Sequence, residues 1–264
     1  MEQINASVLS NEPLTGEYWL LEVDAPSISA ALEPGQFVNI RVNGEHGPFL
    51  RRPFSVYRVS SDRTRLQVAY KLVGEGCRLM RDTLRPGTTC DLIGPLGTGY
   101  DLPAEARTIA LVGRGIGIAA LPTLADLAAS RGITSHAFLS ARTRENIVGT
   151  EIFSHHGGMV FLHSDDQPGG VTMVTDHLLA EASKIDFDAI YVCGSNRLVR
   201  AADTLARKLN IPAQSAMEQH MACGFGDCHG CVIEVNLDPA GEKKAYREVC
   251  HYGPVFNTWE VVNA

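Results

Sequence analysis

A chain of 264 residues, 45% hydrophobic and 20% charged, has enough apolar material for real cores and the length of one large domain or two to three small ones. Its formal net charge of −7 excludes the clustered Lys and Arg surface that neutralises nucleic-acid phosphates. MEQINASVLSNEPLTGEYW lacks the apolar core and basic flank of a signal peptide, and no run of about 18 apolar residues marks a membrane span, so a cytoplasmic protein without membrane insertion is expected.

Residues 1–102 read as short strands. SVLSN, YWLLEVDA, QFVNIRV, PFSVYRVS, RLQVAYKLV and TTCDLIG are β-branched or alternating, and EPGQ, NGEHGP, RPG and GPLG punctuate them. This is the pattern of an antiparallel β-barrel or sandwich, with CRLMRDTL its one helical stretch. From about residue 103 the pattern changes. TIALVG, SHAFLSAR, MVFLHS and AIYVCGS read as strands; GIAALPTLADLAASRG, TDHLLAEASK and NRLVRAADTLARKLN read as helices between them. Strands alternating with helices predict a parallel-sheet α/β domain over 103–213. Residues 214–264 show little periodicity and are too few to bury much of a core, so a metal centre is expected to hold them.

Two glycine-rich turns stand out. In RRPFSV, Arg52 can clamp a phosphate through paired bonds, Ser55 offers a short hydrogen bond, and Phe54 can pack on a ring; solvated arginines on an edge strand are the plainer reading. KLVGEGCRLM leads from a strand through glycines to a helix start, a second candidate phosphate site. LVGRGIGIAAL turns from strand to helix with Gly113 and Gly115 placed for a pyrophosphate. Ile118 stands where the dinucleotide fingerprint needs Gly or Ala, so the turn alone is an irregular match. Cys193-Gly194 ends another apolar strand and opens on the same expected edge of the sheet, either at a ligand or as a buried thiol.

The strongest signal is MACGFGDCHGC. Seven cysteines, odd in number and crowded late, favour metal or redox use over a disulfide framework. Cys223, Cys228 and Cys231 are spaced C-x4-C-x2-C, and Cys250 follows, which is the arrangement of a plant-type [2Fe–2S] site. Structural zinc prefers paired C-x2-4-C and remains the alternative.

RRPFS, YKLVGEG, GPLGTGY, GRGIGIAAL, YVCGS and MACGFGDCHGC…VCHYGPVF occur in one order along nearly the whole chain. In this the sequence resembles the electron-transfer subunits of the two-subunit, NAD-linked dihydroorotate dehydrogenases, within the ferredoxin–NADP reductase superfamily. The resemblance implies three domains: an FAD-binding β-barrel (1–102), an NAD-binding α/β domain (103–213) and a [2Fe–2S] domain (214–264). It implies that Arg52, Pro53, Phe54 and Ser55 hold FAD, with Ser55 near the reactive flavin nitrogen. Tyr70, Leu72 and Val73 would lie along the flavin, and Gly74, Gly76 and Cys77 at its pyrophosphate. Gly113, Gly115, Ile116 and Gly117 would face the nicotinamide dinucleotide, Cys193 and Gly194 the nicotinamide, and the four late cysteines the cluster. The sequence departs from the family pattern at Arg114, where a third glycine is usual, at Ala120, at Cys77, and in a short HSDDQPGG segment.

The implied function is an oxidoreductase subunit. It would pass electrons between a partner FMN dehydrogenase, which oxidises dihydroorotate for pyrimidine biosynthesis, and NAD, as part of a heterotetramer. The partner would dock near the cluster loop, around His220, Phe225 and His229. NADP is not excluded, since Arg142 and Arg144 in SARTREN stand near where a 2′-phosphate is read. The rival readings are a paralogous reductase subunit serving another catalytic partner, and a zinc-bearing binding or regulatory module.

Overall fold

The computed structural model describes residues 1–42, 47–167 and 173–261. Residues 43–46 of the NGEHGP segment and 168–170 of the HSDDQPGG segment lie outside the described residues.

The first hundred residues form β1 (Glu2–Thr15), β2 (Tyr18–Asp24), α1 (Pro26–Ala31), β3 (Phe37–Ile40), β4 (Arg52–Ser55), β5 (Arg58–Val59), β6 (Arg65–Lys71), α2 (Glu75–Thr83) and β7 (Thr89–Leu96). The seven strands make one antiparallel sheet in the order β4-β3-β7-β1-β2-β6-β5. It curls round a core of Ile28, Val38, Ile40, Leu66, Val68, Met80 and Leu92. β4 and β5 are successive parts of one stretch, 52–59, which pairs first with β3 and then with β6. Val56 N–H donates to the Gln36 carbonyl at 3.4 Å and Tyr57 N–H to the Gln67 carbonyl at 2.8 Å, so the two ends of the sheet meet in this stretch. The expected strand PFSVYRVS is two strands, broken at the buried Val56–Tyr57 pair. The short helix α1 was not expected; Pro26, with its φ preset for a first turn, begins it.

The second territory alternates as its pattern predicts, with one added helix: β8 (Thr108–Arg114), α3 (Pro122–Ser130), β9 (Thr134–Ala141), α4 (Thr150–His155), β10 (Val160–Ser164), α5 (Val174–Glu181), β11 (Ala189–Cys193) and α6 (Asn196–Leu209), of which α4 was not expected. A 3-10 turn, Gly115–Ala120, stands between β8 and α3, so the regular helix after the glycine turn starts later than the sequence suggests. The sheet order is β10-β9-β8-β11-β12-β15, with β12 (Ala213–Ala216) the fifth parallel strand.

β12 runs across the expected boundary at 213/214. The cysteine segment leaves the sheet after β12, forms the hairpin β13 (Val232–Asn236) and β14 (Lys244–Glu248) and the turn α7 (Val249–Tyr252), and returns as β15 (Val255–Asn257). β15 pairs antiparallel with β12, and α8 (Thr258–Val261) follows. The segment is therefore an insertion between two edge strands of the α/β sheet. Its Cys231, Val235, Val249 and Cys250 share one core with Val112, Ile190 and Val192 of that sheet and Phe37 and Leu96 of the barrel. Burial that it borrows from both neighbours holds it, in addition to any metal centre. Arg58 of β5 further ties barrel to sheet by two bonds, at 3.0 and 2.9 Å, to Asp126 of α3, which His156 also meets at 2.8 Å. Among the described residues no helix is long and apolar enough to cross a membrane.

Candidate functional site

The two arginines of RRPFS part company. Arg51 is half-buried and grips both carboxylate oxygens of Asp91 at 2.9 Å, a structural pair joining β4's approach to β7. Arg52 has no carboxylate partner among the described residues; its Nη1 donates to the Leu50 and Arg51 carbonyls at 2.7 and 3.3 Å. Its side chain crosses the first turn of α2, where a Cβ on Gly76 would stand 3.0 Å from Arg52 Nε. No side chain caps that helix start at Gly74. A guanidinium without a carboxylate partner over uncapped helix N–H groups, approached closely because residue 76 lacks a Cβ, could cradle a phosphate group.

Beside the cradle a cleft of about 340 Å³ opens between barrel and sheet. Pro53, Phe54 and Ser55 of β4, Ala69 to Lys71 of β6, Val73 and Cys77 form one wall, and Ile116, Ala119, Met217 and Met221 the other. The Ser55 hydroxyl makes no hydrogen bond among the described residues and is free for a ligand. Tyr70 is wholly buried behind the wall, edge-on to Phe54 at 6.0 Å, and donates its hydroxyl to Asn11 Oδ1 at 2.8 Å. Burial holds that phenol protonated. Leu72 does not line the cleft; it packs against the barrel core. A larger cavity, about 700 Å³, lies between Arg58, Arg63, Arg131 and the 100–102 linker and holds none of the expected site residues.

At the carboxyl edge of the parallel sheet, Gly113 of β8 pairs in register with Cys193 of β11. Between their ends the chain order of the sheet reverses, the place where open α/β sheets bind ligands. Gly117 lies directly on Cys193, with room for no Cβ: one would sit 2.8 Å from the Cys193 carbonyl oxygen. Cys193 itself is buried, and burial, aided by the Glu218 carboxylate, raises its thiol pKa well above the usual range, so it is a neutral thiol and not a nucleophile. Gly115, Ile116 and Gly194 complete this rim, Gly194 exposed beside Arg114. Arg114 spans from β8 to the end of β10, where its two terminal nitrogens meet Asp165 at 3.2 and 2.6 Å. Arg142 and Arg144 are exposed just past β9.

The cysteine loop curls through Gly224 and Gly226, both in the left-handed region, at φ 84° and 92°. Cys231 and Cys250 are buried, Cys223 is half-buried and Cys228 exposed. Backbone N–H groups aim at the sulfurs: Gly226 at Cys250 Sγ (3.1 Å), Gly230 at Cys228 Sγ (3.4 Å) and Cys250 at Cys231 Sγ (3.4 Å). Burial pushes the Cys223 thiol up, but N–H groups of Phe225 and Cys228 outweigh it and bring the pKa down to about 6. Burial and the neighbouring Cys231 push Cys250 up to about 12. Among the described residues no three His, Cys, Asp or Glu side chains close on a single metal ion. The Cys228 side chain bears on Cys223, and both Cys231 and Cys223 bear on Cys250, so the four thiols lie near one another. Donors aimed at thiolates are the outer shell that an iron–sulfur cluster needs. His229 is paired with Glu248, and His220 is exposed.

Sequence reasoning missed Met217, Met221 and Asn39. Met221 is two residues from Cys223 yet lines the cleft, and the fully buried Asn39 of β3 donates to the Cys223 carbonyl. Only the proximity of Met221 to the cysteines was a signal.

Residues 218–262 match the family model described as the iron-sulfur cluster binding domain of dihydroorotate dehydrogenase B. The chain is 34% identical over 260 residues to the "Dihydroorotate dehydrogenase B (NAD(+)), electron transfer subunit" of Geobacillus kaustophilus, covering 97% of each chain. It is likewise 34% identical over 260 residues to that of Bacillus caldolyticus, again over 97% of each. Among solved structures, the NADH-dependent reduced ferredoxin–NADP oxidoreductase superposes with a TM-score of 0.82 at 23% identity, over 97% of this chain and 89% of that one. Phthalate dioxygenase reductase does so at 0.61 and 19% identity, over 93% and 76%. Both share the fold of an antiparallel sheet domain followed by a parallel α/β sheet. With its full-length relatives at this identity, the chain belongs to the family of electron-transfer subunits of NAD-linked dihydroorotate dehydrogenase B.

Proposed function

We propose that this chain is the electron-transfer subunit working between a dihydroorotate-oxidising partner and NAD, and that it holds FAD and a [2Fe–2S] cluster. The observation that carries the reading is convergence: the wall facing the barrel side of the cleft beside the Arg52 cradle carries both Met221, two residues from the first cysteine, and Ile116 of the turn after β8. When bound, NAD supplies hydride chemistry, FAD the exchange between electron pairs and single electrons, and the cluster single-electron chemistry.

The chain's own residues hold, orient and shield. Arg52 and the start of α2, with Gly74, Gly76 and Cys77, receive the FAD pyrophosphate; Pro53, Phe54 and Val73 flank the ring system, and the free Ser55 hydroxyl is the donor for its reactive nitrogen. Gly113, Gly115, Ile116 and Gly117 form the turn for the dinucleotide. Cys193, kept neutral by burial, and Gly194 bound the nicotinamide end. Cys223, Cys228, Cys231 and Cys250 hold the cluster. The division of the chain into an FAD barrel, an NAD sheet and a cluster segment follows, with the last inserted between β12 and β15.

Relatives named as one subunit imply a catalytic partner subunit. That partner is an FMN dehydrogenase in a heterotetramer, and it docks over the cluster loop, where Phe225 and Tyr252 are 42% and 44% exposed. The test is reduction of the bound flavin by dihydroorotate. It is expected only after an FMN dihydroorotate-oxidising subunit is added, while NADH reduces the flavin of the isolated chain directly. Reduction of the isolated chain by dihydroorotate overturns the division of labour. If only a different substrate's dehydrogenase restores reduction, the chain serves another partner.

A further inference from the structure

The cluster loop meets the barrel at one buried polar side chain. Side chains on β3 alternate: Val38 and Ile40 enter the barrel core, whereas Phe37 joins the core that contains Cys231 and Cys250. Asn39 lies on the Phe37 side and is wholly buried. Its Nδ2 donates to the Cys223 carbonyl at 2.9 Å. The loop is pressed against it, since a Cβ on Gly224 would collide with Asn39 Nδ2.

Packing alone does not account for an amide here. Asn39 Oδ1 is buried without a hydrogen-bond partner, a cost that a leucine of similar size would not carry. What the amide does is join two sites. β3 pairs with β4 so that Asn39 faces Pro53 and Phe37 faces Ser55, the residues that wall the cleft. One flank of a single strand thus holds the flavin wall, and its Asn39 side chain holds the backbone of the first cluster cysteine. From Cys223 the chain needs only two residues to reach the cleft at Met221.

We propose that Asn39 is a positioning residue: it fixes the Cys223 side of the cluster site against the flavin wall, so that electrons cross between the two groups at the Cys223–Met221 end. The proposal rests on the reading above that the chain holds both groups. With both groups bound, each crossing would take one electron from the reduced flavin to the oxidised cluster, or back, with no bond to carbon made or broken. Electron tunnelling falls steeply with separation, so a hydrogen bond that holds the Cys223 backbone against the strand bearing the cleft wall would bear on the rate.

The test is Asn39→Leu in the full chain, with flavin and iron per chain measured first. After rapid mixing with NADH, the step in which the cluster is reduced by the flavin is followed per loaded cluster. It is expected to fall about 10–100-fold, the usual consequence of removing an outer-shell hydrogen bond, while reduction of the flavin by NADH keeps its rate. In the iron-free chain, amide hydrogen exchange over residues 221–226 is expected to rise. A parental value of either quantity overturns the proposal, including the case where iron is lost but the loaded fraction transfers normally. If the leucine variant does not fold, Asn39→Ala is read by the same two measurements. A parent chain that binds no iron or no flavin overturns the functional reading and this proposal with it; a fully loaded parent with an indifferent Asn39→Leu overturns this proposal alone.

Discussion

The cradle at the start of α2 and the turn at the end of β8 are both glycine-rich strand-to-helix passages with an arginine beside them, yet they stand in opposite conditions. Arg52 is free of any carboxylate among the described residues and lies over an uncapped α-helix. Arg114 is already held by Asp165, and a 3-10 turn, not an α-helix, follows it. An unpaired cation over free N–H groups favours a tightly kept anion. A cation that must first give up an acid favours a ligand that comes and goes. The difference fits a resident FAD and a transient nucleotide.

Four measurements break or sharpen this contrast. Arg52→Ala removes charge-assisted bonds worth about 1.5–3 kcal/mol, so flavin affinity is expected to fall roughly 10–100-fold, read by flavin retention on dilution. Full retention would mean that the cradle holds something else. The cluster loop should resemble the cradle in being shaped before its ligand arrives. With the Cys223 pKa at about 6, its thiolate is present above that pH and lost below it, so in the iron-free chain alkylation of Cys223 should persist at pH 7 and fade below about 6. Cys250, pushed up to about 12, and the buried Cys193 should stay unlabelled at pH 7, as peptide mapping would show.

The third and smaller effect concerns the turn. Asp165→Asn frees Arg114 from a partly exposed pair worth about 0.2–1 kcal/mol, and KM for NADH should drop by about 1.4- to fivefold with flavin content unchanged. A rise in KM would show that Asp165 itself binds the nucleotide. The smallest effect is a control on the first: Arg51→Ala should cost stability in a thermal melt and leave flavin affinity unchanged, because its guanidinium is committed to Asp91.

The sequence made part of this legible. Four cysteines at a set spacing announce their own geometry, because no helix or strand intervenes among the first three. The barrel and α/β territories follow from their hydrophobic periods. RRPFS could be read as a phosphate clamp with Arg52 its cation, but the commitment of Arg51 to Asp91, forty residues away, could not be read. β12 was missed because AQSA has neither apolar alternation nor β-branching; its place is set by β11 and β15 on either side. Arg114 looked like a departure from a glycine pattern until the sheet order brought Asp165 to it. Asn39 was silent for the same reason. In a strand pattern it reads as an outward polar residue, and only the folded cluster segment makes that outward face an interior.

The return of the chain as β15 has a consequence of another kind. Three residues, Val255–Asn257, pair along β12 and occupy the hydrogen-bonding edge that a five-stranded parallel sheet would otherwise present to solvent. A bare edge strand recruits other chains. The segment that carries the cysteines therefore also guards the sheet against self-association, and a chain that loses its grip on residues 217–257 is exposed to aggregation through β12 as well as to loss of its redox role.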